Sequence, residues 1–113
     1  MELLDDSVVP DEARDIKQEA REFAAEHIAP NAEEYYRTGD YPHEILEAGQ
    51  AANLVAQDIP EEYGGRGLSL HELLAMTEEF YRADAGIALT LQLASFGCEI
   101  LYDHGNEEQK EEY

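Results

Sequence analysis

From Ile87 to Tyr102 the chain carries a single formal charge, Glu99, although the protein of 113 residues has 27 Asp and Glu against 7 Lys and Arg and a net charge of −20. Ile87, Ala88, Leu89, Leu91, Leu93, Ala94, Phe96, Ile100 and Leu101 lie on all sides of a helix drawn through this stretch, and a helix that is apolar all round is a buried one. The remaining chain must therefore wrap a core helix with amphipathic elements. A chain of this length makes one domain rather than two.

Those elements follow from hydrophobic period. Pro10-Asp11-Glu12 opens a helix, with proline in its first turn and acids at the positive end of the dipole. Ala13, Ile16, Ala20, Phe23, Ala24 and His27 then recur at spacings of three and four, one face of a long helix. Pro30 kinks or ends it by removing a donor and crowding the preceding turn; helix resumes through Tyr35 and stops at Thr38-Gly39. Tyr41-Pro42 opens a shorter helix whose Ile45, Leu46, Ala48, Gly49 and Ala52 form a small-residue packing face. Ile59 to Gly67 holds three glycines and a proline in nine residues, a structured loop. Ser69 caps the next helix with Glu72 in capping-box spacing, and Leu70, Leu73, Leu74, Met76, Thr77 and Phe80 form its apolar side. Asp84-Ala85-Gly86 ends it, the uncharged helix follows to about Tyr102, and after His104-Gly105-Asn106 another begins. The reading is an all-α fold, a small orthogonal helical bundle around a central buried apolar helix. Residues 1–9 are an N-terminal extension and residues 10–113 a single α-domain.

Charge excludes partners. A surface this negative repels phosphate backbones and anionic lipid headgroups, so no nucleic acid and no membrane partner is expected. No apolar run reaches the roughly 20 residues of a membrane span, and no basic segment at the N-terminus marks a secretory signal. The expected location is the cytoplasm, and the spread of acids along the whole chain is that of a halophilic protein, whose self-repulsion salt screens. Local catalytic and metal motifs fail. His43-Glu44 and His71-Glu72 begin like zinc-protease helices, but Glu47 and Ala75 stand where the second histidine should be. No Glu precedes any histidine by three, as a di-iron bundle requires. Cys98 beside Glu99 is an inert core thiol rather than a nucleophile. Arg66 holds a helix end or contacts an anionic ligand.

Five stretches taken in order resemble the N-terminal helical domain of acyl-CoA dehydrogenases. They are Arg21-Glu22-Phe23-Ala24 with Ile28-Ala29-Pro30 and Ala32; Arg37-Thr38-Gly39 with Tyr41-Pro42; Ile59-Pro60-Glu61-Glu62-Tyr63-Gly64-Gly65 with Gly67-Leu68; Glu78-Glu79; and Gly105-Asn106-Glu107-Glu108-Gln109-Lys110. The resemblance implies an enzyme that removes the proton α to an acyl-CoA thioester and passes the β-hydride to FAD. It also implies acyl-CoA as substrate, electron-transfer flavoprotein as acceptor and a homo-oligomeric enzyme. The family's catalytic base and most of its flavin contacts belong to a middle β-domain and a C-terminal α-domain that would follow this stretch. No catalytic, cofactor or metal residue is therefore expected within it, and the chain alone is expected to be inactive. What the resemblance does place here is a wall of the acyl-chain pocket, at Ala88, Leu89, Gln92 and Phe96, with Gln92 near the pocket's end and Phe96 bulky enough to shorten it. An apolar wall suits an alkyl tail because each buried CH₂ contributes about 0.8 kcal/mol. Two other readings stay open: a non-catalytic helical interaction module that kept the fold, and the corresponding domain of an acyl-CoA oxidase or nitroalkane oxidase.

The charge reading is checked by circular dichroism across a salt titration. Helix content should rise steeply as salt is added; full helicity in salt-free buffer would refute the halophilic assignment.

Overall fold

The structure, a computed structural model, describes residues 9–55 and 59–112; the expected extension, apart from Val9, lies outside the described residues. Helix α1 runs from Asp11 to Phe23. The expected face, Ala13, Ile16, Ala20 and Phe23, is buried, and Ala24 continues it. Pro30 acts where the sequence places it. Without a proline N–H the ladder slips into a π turn, Ala24–Ile28, then a 3₁₀ turn, Ala29–Asn31. The Asn31 side chain donates to the His27 carbonyl at 2.9 Å, and helix resumes as α2, Ala32–Thr38. Helix α3, His43–Ala51, buries Ile45 and Gly49, while Ala52, expected on the same face, is exposed just past its end. Helix α4, Leu70–Ala83, carries the Ser69–Glu72 capping box in full.

The loop before α4 shows why it needs glycine. After a 3₁₀ turn at Glu61–Tyr63 the chain doubles back so tightly that a Cβ on Gly65 would lie 2.0 Å from the Ile59 carbonyl oxygen. Arg66 then forms a two-pronged ion pair with Glu19 of α1, at 3.0 and 2.7 Å, and donates to the Asn53 carbonyl at 3.4 Å. Of its two expected roles it takes the structural one, fastening the loop to the bundle.

Helices α1 and α4 form the main pairing, with α5, Ala85–Leu93, packed on α4 and approached by α3. Their shared core joins Ile16, Phe23 and Ile28 to Ile45, Met76, Phe80, Ile87 and Leu91, with the Phe23 and Phe80 rings 5.6 Å apart. A charged cluster lies beside it. Lys17 and Glu79 are 3 % exposed, and the lysine Nζ is 2.5 Å from the glutamate and 3.0 Å from Glu78. Arg21 and Arg82 reach the same carboxylate at 2.9 and 3.2 Å. Burial pushes the Glu79 carboxyl pKa up, but the bonds from Arg21 and Lys17 outweigh it and hold it below its ordinary 4.5.

The all-α architecture is as expected, and no strand occurs among the described residues. The uncharged segment differs in three ways. It is two helices, not one: α5 stops at Leu93, a turn follows, and α6 spans Cys98–His104, because Gly97 takes a left-handed conformation, φ 94°, that suits glycine. It starts at Asp84, which ends α4 and caps α5 by accepting from the Ile87 N–H at 2.8 Å. And it is buried on one side only. Ile87, Ala88 and Leu91 are in the core, whereas Leu89, Leu93, Phe96 and Ile100 are 48 %, 51 %, 85 % and 68 % exposed. The molecule is a slab of 41 × 38 × 19 Å, about two helix diameters thick, so a helix on its face is covered from one side. Leu70 and Leu74, expected in the α4 core, are exposed for the same reason.

One exclusion from the sequence is also corrected. Ala85–His104 has the length and composition of a membrane span, with mean hydropathy 1.4. The turn at Ala94–Gly97 interrupts its hydrogen-bond ladder, which hydrocarbon tolerates poorly. Helix α7, Glu107–Glu112, follows, capped reciprocally by Asn106 and Gln109.

Because Glu79 is held below its ordinary pKa, its contribution to stability is present above 4.5 and is lost as pH falls through the folded value. Glu79→Gln puts a neutral amide where a buried carboxylate receives Lys17, Arg21 and Arg82, and should cost about 3 kcal/mol at neutral pH. Urea unfolding of both proteins across pH should show that gap closing below 4.5; a gap that does not depend on pH would exclude the charge as its source.

Candidate functional site: an apolar wall on α5 and α6

Of the four residues expected to line a pocket, three reach the surface. Leu89 is half exposed and Phe96 almost fully so, in the turn beyond α5 rather than on it. Gln92 is exposed on α5, yet its amide is held at both ends. The Tyr81 hydroxyl donates to Gln92 Oε1 at 2.6 Å, and Gln92 Nε2 donates to Thr77 Oγ1 at 3.3 Å. Ala88 is the exception. It is 0 % exposed, packed in the core with Ile87 and Leu91, so it backs the wall and does not face it. Positions 88 and 89 are about 100° apart on a helix, which here puts Ala88 against the core and Leu89 toward solvent.

Sequence reasoning overlooked Leu93 and Ile100. Leu93 lies on α5 with Leu89, Ile100 on α6 and Phe96 in the turn between them, and all four are about half exposed or more, so an exposed apolar segment runs from α5 into α6. A segment apolar on all sides gives no sign of which side its own domain covers. Between Leu89 and Ile100 the single charge is Glu99, so the segment is nearly uncharged in a strongly acidic protein. It can take up hydrocarbon; it offers no cation to an anion and no nucleophile to a substrate.

A concavity lies between the glycine loop and α6. Ile59, Tyr63, Gly65, Cys98, Leu101 and Lys110 are among the residues around a cleft of about 130 Å³. Cys98, expected in the core, is half-buried on its rim. The Tyr63 hydroxyl donates to Glu107 at 2.9 Å; that bond, together with burial and the acids around it, pushes the phenol up to about 12 and keeps it neutral. The cleft is small, and its one ionisable thiol has no base in place.

Comparison with known proteins gives the family. Residues 10–113 match the family described as acyl-CoA dehydrogenase, N-terminal domain. The chain is 34% identical over 115 residues to an isovaleryl-CoA dehydrogenase, mitochondrial, of Pongo abelii, covering 97% of this chain and 27% of that protein. It is 32% identical over 100 residues to a probable medium-chain specific acyl-CoA dehydrogenase 2, mitochondrial, of Caenorhabditis briggsae, covering 88% of this chain and 24% of that one. Among solved structures it is similar to a chain from work on the electron transferring flavoprotein of Acidaminococcus fermentans. That similarity has a TM-score of 0.84 at 30% identity, over 100% of this chain and 29% of the other. The chain thus spans about a quarter of the length of the curated relatives it matches.

Proposed function

This chain belongs to the acyl-CoA dehydrogenase family, as its N-terminal domain, and from that premise we propose that it supplies one wall of the acyl-chain slot in a flavin-dependent enzyme that dehydrogenates an acyl-CoA thioester between its α and β carbons. The observation that carries this reading is the set of exposed apolar side chains Leu89, Leu93, Phe96 and Ile100 on a nearly uncharged segment of a protein of net charge −20. An acidic protein gains nothing in solubility from such a segment. A saturated tail laid along it gains about 0.8 kcal/mol for each CH₂ removed from water. Leu89, Gln92 and Phe96 face the tail, and Ala88 supports them from the core.

The same reading gives the full-length enzyme FAD as hydride acceptor, electron-transfer flavoprotein as the protein that reoxidises it, a homo-oligomeric assembly, and a high-salt cytoplasm suited to its acidity. Neither the apolar segment nor the cleft beside Tyr63 fits a flavin dinucleotide. The segment has no cation for a pyrophosphate, and the cleft encloses about 130 Å³, below the roughly 300 Å³ where pockets for drug-sized ligands begin. What these side chains do is bind the tail, exclude water from it and limit its length.

Two measurements test the proposal. In a full-length enzyme carrying this domain, Phe96→Ala should move the optimum of kcat/KM toward longer acyl chains; an unchanged chain-length profile would remove Phe96 from the slot. The purified chain of 113 residues should be colourless and should not dehydrogenate acyl-CoA with an artificial electron acceptor. Stoichiometric yellow FAD on it would reverse the assignment of the flavin site to other parts of the enzyme.

A further inference from the structure

We infer that Tyr81 and Thr77 are positioning residues which hold Gln92 as a fixed end-stop for the acyl tail, an inference that rests on the reading of α5 as the slot wall. A surface glutamine ordinarily samples many rotamers, and ordering it carries an entropic cost. Here Gln92 Oε1 accepts from Tyr81 at 2.6 Å and Nε2 donates to Thr77 at 3.3 Å. Thr77 and Tyr81 are one turn apart on α4, so they present their hydroxyls on one side of that helix. The Asp84 corner joins α4 to α5 without a loop, which brings Gln92 back over them. Packing of the two helices does not require this clamp, since Phe80, Ile87 and Leu91 already join them through the core.

Its effect is on the wall. Leu89 lies about one turn before Gln92 on α5, and Phe96 follows Gln92 by four residues in the turn beyond that helix. An amide free to swing would sweep over both of them, and a tail pressed against it would strip water from polar atoms with no replacement partner. Tied to α4, the amide has one N–H and its oxygen already satisfied, and it meets the tail as a rigid edge. The ligand chemistry this favours is an aliphatic tail that terminates at Gln92, straight or branched. Tails too short to reach it do not depend on the clamp.

The experiment is a chain-length series of straight acyl-CoA substrates on a full-length enzyme carrying this domain, as wild type, Tyr81→Phe, Gln92→Leu and the double variant, with a melting temperature for each. Tyr81→Phe should lower kcat/KM through KM by about fivefold more for tails that reach Gln92 than for shorter ones, the effect of losing one ordinary hydrogen bond. In the Gln92→Leu background it should have no further effect. Thr77→Ser should keep the wild-type profile and Thr77→Val should lose it. If Gln92→Leu leaves the profile unchanged at every length, α5 is not the slot wall and the proposed function fails at that point. If Gln92→Leu moves the profile but Tyr81→Phe does not, the clamp is refuted while the wall stands. A loss from Tyr81→Phe that is equal at all lengths, or that persists in the Gln92→Leu background, likewise refutes the clamp.

Discussion

One carboxylate organises this domain. Glu79 sits 3 % exposed between α1 and α4, receiving Lys17, Arg21 and Arg82. A lone buried carboxylate would be expelled or neutralised; with three cations around it, it fixes how α1 lies on α4. Helix α5 is laid on α4 in turn, so the wall's orientation traces back to that contact. Acidity sharpens the point. Of 7 basic residues, three are spent on this single site and a fourth, Arg66, on fastening the glycine loop to Glu19. The domain uses its scarce cations inward, as internal fasteners, and leaves its surface to the acids.

Much of this was legible in the sequence. The α1 face, the effect of Pro30, the α4 capping box and the breaks at Gly39 and Gly105 all follow from local rules of period, ring geometry and side-chain capping, which act over four or five residues and so survive in a linear reading. The Lys17–Glu79 contact was also within reach. Lys17 falls four residues after Ala13 and three before Ala20, inside the apolar stripe of α1, and Glu79 falls four after Ala75 and one before Phe80 on α4. A charge at a core position on each of two helices is a pairing signal; Glu79 entered only through the family resemblance, and Lys17 is in none of its five stretches.

The site was legible only in part. The stretch was found, but its burial was misjudged on one side, because burial depends on how many layers the chain can stack and composition does not record that. Ala88 and Leu89 illustrate the limit. They are neighbours of similar chemistry; one is sealed in the core and the other stands in water, and the difference is set by the position of α4. The hydrogen bonds on Gln92 were out of reach for a similar reason, since they depend on how sharply the chain turns at Asp84. On the proposed reading the charge of the domain also has a role. A coenzyme A thioester is an anion, so an acidic surface repels its head, and useful contact is confined to the uncharged tail.

That turn has a further consequence. Most helical connections are loops that lineages can lengthen or trim, and new specificities often come from such insertions. Here Asp84 is both the C-cap of one helix and the N-cap of the next, so no slack exists to gain or lose. One inserted residue would rotate Gln92 by about 100° and carry it off Thr77 and Tyr81 altogether. On the proposed reading, descendants of this protein can retune the slot by exchanging side chains along α5, whereas a change in the length of this joint would dismantle the contacts that hold Gln92.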